Sequence, residues 1–466
     1  MRYISTRRGL GATSAESIFR GLAPDGGLYL PDLREAGGAL AFDRCTTLRA
    51  AEEAVFAKLM DDIPEAVRTA AIDRLLSSFP AEDPVPLVDA GGLKLLELFH
   101  GGTGAFKDVA LSMLPVLLRH SAAGRRVLVL TATSGDTGSS AMHGFSGVEG
   151  AHVAVFYPAT GVSRIQRLQM TTAAGRNVHA FGLRGNFDDA QAAVKRMFAD
   201  ESLRREAEGL GVALSSANSI NTGRLTPQIG YWVMAAARVG RPFDVVVPSG
   251  NFGNILAAYY AKLLGAPVRR LVCASNVNDV LARFVKTGVY APGDAFRTTN
   301  SPSMDIRKSS NVERLLWILN GGDCAETARL MDEFAREGRY TLGGAAKKRL
   351  LEEFDGGMAT EEETEDEMRR FLDETGYALD PHTAVAVRVA RKLGLPEDGT
   401  PAVVAATATP FKFPETCRRA FGRDIPGEPP PSVANLESLP VLHDATIDVR
   451  ETDGAARALL RRIAAQ

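Results

Sequence analysis

The sequence is poor in cysteine. Its 466 residues include four, Cys45, Cys273, Cys324 and Cys417, far apart and without a CxxC pair. That spacing excludes a disulfide framework and a zinc ribbon, and it fits a reducing cytoplasm. Histidine is nearly as scarce. There are seven, with no HExxH and no repeated ligand spacing, so no metal site is expected. His100 and His382 lie near segments discussed below, and both are read as structural. Neither sign of charge is in excess: 54 Lys+Arg against 56 Asp+Glu leave a net charge of −2. Phosphate backbones demand a basic surface, so nucleic acid is not an expected partner. Long apolar runs are missing too. The charge-free stretch from Val245 to Ala261 is broken by Pro248, Gly250, Asn251, Gly253 and Asn254, and it is too short and too polar to span a bilayer. The opening MRYISTRRGLGATSAESIF has charges but no apolar core, so no secretory signal is expected. No GxSxG elbow supports a serine hydrolase, and no internal repeat is visible. Glycine is the residue in surplus, with 45, above the ordinary level of about 7%. Many of these glycines follow apolar runs, where α/β enzymes build their sites.

At about 150 residues per domain, the length predicts two or three domains. Residues 1–90 read as a mostly helical N-terminal domain. Ala50 to Met60 and Ile63 to Phe79 carry apolar residues at helical spacing, and Pro84 and Pro86 mark a boundary. The pattern then changes. VLVLT (127–131), HVAVFY (152–157), DVVV (244–247), RLVCA (270–274) and PAVVAA (401–406) alternate with helical stretches. Continuous apolar strands are buried on both faces, which predicts an α/β fold with a largely parallel sheet. Thr360 and Glu363 form a capping-box pattern at the head of an acidic segment, read as a solvated helix start. PGEPPP (426–431) reads as a stiff linker to a tail, 432–466.

Three segments carry chemistry. In LFHGGTGAFKD, Lys107 follows a glycine-rich loop and precedes an apolar helix. A positive helix end lowers an ammonium pKa, which suits a lysine that forms a Schiff base with a carbonyl cofactor. An exposed helix-start lysine is the bland alternative. PSGNFGN, 248–254, lies between a strand and a helix and points N–H groups at an anion. Side chains at Gly250 or Gly253 would obstruct close approach. TATSGDTGSS, 131–140, combines hydroxyls, glycines and one carboxylate. It binds a substrate carboxylate or simply caps a helix. A reactive lysine, a phosphate cup and a carboxylate-binding loop are together what pyridoxal 5'-phosphate and an amino-acid substrate need.

LFHGGTGAFKD, TATSGDTGSSA, SANSIN, VPSGNFGNILAAYYAK, SNVNDVLARFVKTGVY, SPSMDIRKSSNVERLLW and LDPHTAVAV, in that order, resemble the motifs of the threonine synthase family. So do the opening YISTRRG and GLAPDGGLYLP. The resemblance runs from about residue 3 to about residue 415. It implies a fold-type II pyridoxal-phosphate enzyme of tryptophan synthase β-like architecture with the added N-terminal domain. Residues 91–225 then form a smaller α/β domain carrying Lys107, and 226–431 a larger one carrying the cup. The implied reaction is O-phospho-L-homoserine and water to L-threonine and inorganic phosphate, by a monomer or homodimer acting on a small-molecule substrate. Carried over onto this sequence, Lys107 is the cofactor lysine. Gly250, Asn251, Phe252, Gly253 and Asn254 are the phosphate cup, and Thr407 faces the pyridine nitrogen. Thr133, Ser134, Asp136, Thr137 and Asn218 are substrate contacts. Arg224, Ser303 and Lys412 are contacts to the substrate phosphate.

The sequence departs from the family pattern inside its motifs. Gly102 replaces Pro and Gly104 a larger residue. Thr222 and Gly223 replace Trp and Ala, and Thr226 and Pro227 replace Leu and Ala. Thr409 replaces His, and Phe411 replaces Ala. These changes predict a roomier, less basic pocket near Thr222 and Thr409. They leave open a paralogue acting on another phosphorylated or phosphonate amino acid, including a phospholyase that releases a 2-oxo acid, ammonia and phosphate. A binding protein that kept the fold is a third reading, opposed by the intact Lys107 and cup.

Overall fold

The computed structural model describes residues 1–35, 37–293 and 296–466. Two twisted sheets are built from the expected apolar runs. The larger has the order Phe354–Met358, Val268–Ser275, Phe243–Pro248, Ala402–Ala406, Leu93–Glu97, Leu87–Ala90. All its neighbours are parallel except the last pair, which is antiparallel. The smaller sheet is wholly parallel, in the order Thr446–Asp448, Val178–Arg184, Ala151–Pro158, Arg126–Ala132, Val212–Ser215. Every residue of Ala151–Pro158 and Phe243–Pro248 is buried, as helix-covered strands require. Phe354–Met358 (FDGGM) does not read as a strand, because two glycines weaken strand propensity. Packing explains them. A β-carbon on Gly356 would lie 2.6 Å from Val285 Cγ2, and one on Gly357 would lie 2.9 Å from Val389 Cγ1. Helices Val280–Thr287 and Pro381–Lys392 press on the two faces of this strand too closely for side chains.

Strand pairing differs from the sequence-drawn boundaries in two places. Leu93–Glu97, assigned from sequence to the smaller domain, pairs with Ala402–Ala406 in the larger sheet. The segment 432–466, read from sequence as a tail, is packed onto the smaller sheet. Thr446–Asp448 adds an edge strand to the smaller sheet. Helix Thr452–Ala464 buries Ala456, Leu459, Leu460 and Ile463 in the same cluster as Val194, Met197, Leu203 and Ala207. Its apolar positions repeat at helical spacing, and burying that stripe is what holds the segment down. The acidic segment forms helix Glu361–Thr375 with the expected reciprocal Thr360–Glu363 capping box.

The N-terminal region is helical with a small antiparallel sheet, in which Tyr3–Ser5 pairs with Gly11–Ala12 and Tyr29–Pro31. Helix Leu48–Leu59 packs on helix Thr222–Val239, and Glu65–Ser77 packs on Lys107–Ser121. Between the first pair lies Glu52, fully buried, with no partner for either carboxylate oxygen among the described residues. It faces Gly230, where a β-carbon would sit 2.4 Å from its Cδ. Burial pushes this carboxyl well above the usual carboxylate range. At low pH the folded and unfolded chains are both protonated. As pH rises, the unfolded chain releases a proton that the folded protein retains, so Glu52 lowers stability toward neutral pH. Glu52→Gln is therefore expected to raise the unfolding free energy at neutral pH by on the order of 1 kcal/mol or more, and with it the melting midpoint, and to leave both unchanged near about pH 4. Melting curves at both pH values check this.

Candidate active site

Loops that follow four parallel strands meet in one cavity of about 1110 Å³. They are Thr133–Thr137 after Arg126–Ala132, Ser216–Asn218 after Val212–Ser215, Ser249–Asn254 after Phe243–Pro248, and Thr407–Ala408 after Ala402–Ala406. Carboxyl ends of parallel strands are where open α/β sheets bind ligands.

Lys107 is the first residue of helix Lys107–Ser121. The loop before it is tied to the segment after Ala402–Ala406. Leu98 N–H donates to Ala406 O at 2.9 Å, Phe106 N–H to Thr407 O at 2.9 Å, and Thr409 N–H to Gly104 O at 3.1 Å. Asp108 closes the loop from within, accepting from Thr103 N–H at 2.8 Å and Thr103 Oγ1 at 2.7 Å. The Lys107 side chain is 12% exposed, and its Nζ lies 3.0 Å from Asp136 Oδ2. Burial lowers its pKa, with Arg224 and Lys412 adding to the effect and Asp136 opposing it. The dominant cause is thus desolvation, beyond the helix end read from sequence.

The PSGNFGN segment forms a turn that ends at Phe252, whose φ of 60° is left-handed, before helix Gly253–Leu263. No side chain caps this helix, so its first N–H groups are open to a ligand. Trp232 Nε1 donates to Asn254 Oδ1 at 2.9 Å, leaving buried Asn254 Nδ2 without a partner among the described residues. Asn311 Nδ2 donates to Asn251 O at 2.8 Å and Ser309 Oγ to Gly250 O at 3.0 Å, fixing the turn from outside. The two cup glycines differ. A β-carbon on Gly250 would lie 2.5 Å from Ser303 O, whereas one on Gly253 would meet no protein atom closer than 3.5 Å. Gly250 is required by the protein's own packing, whereas no protein atom excludes a side chain at Gly253.

Arg224 also lines the cavity, 4% exposed. It donates to Ala217 O at 2.9 Å, but its Nε has no partner and no carboxylate pairs with it among the described residues. Burial pulls its pKa down to about 10. Ser134, Thr137, Asn218, Ser303 and Thr407 line the cavity as expected. Thr133 does too, but its Oγ1 already accepts from Gly135 and Gly138 N–H, both at 2.9 Å. Asn218 Oδ1 accepts from Thr131 Oγ1. Asp136 lines the cavity with both oxygens occupied. Lys412 does not line it: the side chain is fully buried behind Asp136, 2.9 Å from Oδ1 and 3.0 Å from Thr103 O.

The expected roomier pocket does not form where the motifs depart. Among the described residues, none of the departing positions lines the cavity. Thr222 turns away from it and meets Ser17 across the N-terminal domain, Oγ to Oγ at 2.8 Å. A β-carbon on Gly102 would overlap the His143 ring, and one on Gly104 would lie 2.7 Å from Thr409 Cγ2. Neighbouring side chains fill the space these glycines give up. The sequence reading missed two contributors. His382, taken as merely structural, lines the cavity; its Nε2 accepts from Ser303 N–H at 3.2 Å and its Nδ1 lies 2.9 Å from Asp380 Oδ1. Asp380 caps helix Pro381–Lys392, a signal legible in Asp-Pro-His-Thr. Gln166 completes a capping box with Ser163 and donates to Asp136 Oδ1 at 2.8 Å. His100 pairs with Glu97 away from the lining.

Gly250→Ala is expected to push the cup off Ser303 and to cost about 1–3 kcal/mol of stability, as overpacking does. A melting midpoint equal to that of the wild type would show that the turn gives way without strain.

The family described as pyridoxal-phosphate dependent enzyme matches residues 79–408, and that described as threonine synthase, C-terminal, matches residues 383–453. The likeness thus reaches well into the segment that sequence motifs left unmatched. Threonine synthase of Pseudomonas aeruginosa is 37% identical over 92% of each chain. Threonine synthase-like 1 of Homo sapiens is 35% identical over 93% of this chain and 62% of its own length. A crystal structure of PLP-bound threonine synthase from Brucella melitensis superposes with a TM-score of 0.91, at 34% identity, covering 99% of this chain and 100% of that one. The site fits the cofactor: an amine with a lowered pKa shares a cavity with an uncapped helix start and an orphaned amide, suited to an aldehyde and a phosphate. The chain belongs to the threonine synthase family, and it is a fold-type II, pyridoxal-phosphate-dependent lyase.

Proposed function

We propose that this enzyme converts O-phospho-L-homoserine and water to L-threonine and inorganic phosphate. The observation that carries the reading is a second anion-receiving group in the cavity. Besides the uncapped helix start at Gly253, Arg224 is buried without a carboxylate partner among the described residues. A cofactor phosphate accounts for one such group, and a substrate that itself carries a phosphate accounts for the other. When bound, pyridoxal phosphate supplies an electron sink that makes the α and β protons of an amino acid acidic.

The protein's own residues do the rest. Lys107 Nζ holds the cofactor and, once released, takes the α proton at that atom, a role suited to an amine whose pKa burial has lowered. N–H groups of Gly250, Asn251, Phe252, Gly253 and Asn254 bind the cofactor phosphate. The Thr407 hydroxyl, in the cavity lining, would serve the ring nitrogen as a neutral partner. Ser134, Thr137 and Asn218 take the substrate carboxylate, while Thr133 shapes their loop. Arg224 stabilises the departing phosphate as the C–O bond breaks, while Ser303, expected from sequence to share that role, has its hydroxyl proton committed to Asp136 and its N–H to His382.

Incubated with O-phosphohomoserine, the purified enzyme is expected to release threonine and phosphate in equal amounts. In deuterated water the threonine carries deuterium at Cα and Cγ. Release of 2-oxobutyrate and ammonia instead would mark a phospholyase. Gly253→Val is expected to weaken cofactor affinity at least about tenfold without changing the melting midpoint of the cofactor-free chain. Fluorescence titration with the cofactor measures the first, and unchanged affinity removes the cup from the phosphate site. Arg224→Gln is expected to lower kcat/KM by about 10²–10³.

A further inference from the structure

Asp136 belongs by position to the loop that faces the substrate, but its contacts leave nothing for a substrate. An ionised carboxylate has about four lone-pair sites, and here four donors fill them. Oδ1 accepts from Lys412 Nζ at 2.9 Å and Gln166 Nε2 at 2.8 Å. Oδ2 accepts from Lys107 Nζ at 3.0 Å and Ser303 Oγ at 3.1 Å. These donors come from four separate elements: helix Lys107–Ser121, helix Arg164–Thr171, the turn Pro302–Met304 and the turn Pro410–Lys412. Arg224, from helix Thr222–Val239, acts on Lys107 across the cavity, and His382 reaches Asp136 only through Ser303. A substrate that carries a carboxylate and a phosphate is repelled by this carboxylate, so its presence in the lining needs another reason.

We propose that Asp136 is a positioning residue that docks the Lys107 ammonium before the cofactor is captured and again after the freed lysine has taken the α proton, and that Lys412 is the fixed counter-charge holding Asp136 in place. The proposal rests on the assignment of Lys107 as the cofactor lysine. Fully buried and outside the cavity lining, Lys412 exerts its charge on the site through Asp136 rather than by touching a ligand. Burial alone would raise the Asp136 carboxyl, yet Lys107 and Lys412, with hydrogen bonds from Lys412 and Gln166, hold it well below the usual carboxylate range. The two neighbours of Lys107 therefore pull in opposite directions: Asp136 favours its ammonium form and Lys412 disfavours it.

Cofactor capture reads this directly. The unprotonated Nζ attacks the aldehyde carbon, water leaves, and the proton carried by the ammonium goes to solvent, so the capture rate rises as Lys107 loses its proton. The full-length chain is stripped of cofactor and mixed with pyridoxal phosphate over a pH series, with no substrate present, and the absorption band of the lysine-linked cofactor is followed. Asp136→Asn is expected to shift the midpoint of the rate down by about one to three pH units, and Lys412→Met to shift it up. Opposite shifts support the arrangement, since a general loss of structure would not move the two variants in opposite directions. Midpoints that stay in place, or move the same way, overturn it. Should Asp136→Asn fail to fold, the upward shift of Lys412→Met decides alone. Borohydride reduction and peptide mapping separate the two levels: a pyridoxyl group on another lysine defeats the Lys107 assignment itself, whatever the midpoints do.

Discussion

Three cations withdrawn from bulk water, Lys107, Arg224 and Lys412, stand around the cavity, and among the described residues Asp136 is the one carboxylate paired with any of them. Charge removed from water is costly unless it is paired, and here the pairing is incomplete by design of the fold. An anionic ligand would complete it. The uncapped start of helix Gly253–Leu263 adds a further positive field to the same space. The sheets serve this arrangement by delivering loops from four strand ends to one place, and the helices packed on them hold the charged side chains away from bulk water.

The parts of the site that are local in sequence were legible there. Lys107 after its glycine loop, and the cup between an apolar strand and a helix, are strand-to-helix transitions whose backbone geometry follows from a few adjacent residues. Asp136 was legible only as a helix start or a substrate contact. Its partners Gln166, Ser303 and Lys412 are contributed by segments that only the folded chain brings together. Thr222 illustrates the same limit. A motif position looks like a pocket position until helical phase turns it toward Ser17. Gly102 and Gly104 read as lost side chains, though His143 and Thr409 occupy the space.

Fold class was legible because strands buried on both faces are continuous apolar runs. The strands that escaped notice break that rule for identifiable reasons. Phe354–Met358 carries glycines because helices crowd both its faces. Val178–Arg184 alternates buried and partly exposed residues beneath an edge strand. Leu93–Glu97 and the final segment were assigned by chain order, and parallel sheets do not respect chain order, since any strand can cross over to a distant partner.

The edge strand Thr446–Asp448 has a consequence for how the chain reaches this structure. Its neighbour Val178–Arg184 is made early, with Ala151–Pro158 on one side and nothing on the other until the far end of the chain arrives. During synthesis that open side is a row of unpaired N–H and C=O groups, a template for pairing with the wrong strand. The cluster around Val194 and Leu203 likewise stays uncovered until Leu459 and Leu460 dock. Contacts of such long sequence separation form slowly. The smaller sheet therefore matures last at the edge opposite Val212–Ser215, and a chain released before Thr446–Asp448 would leave that edge sticky.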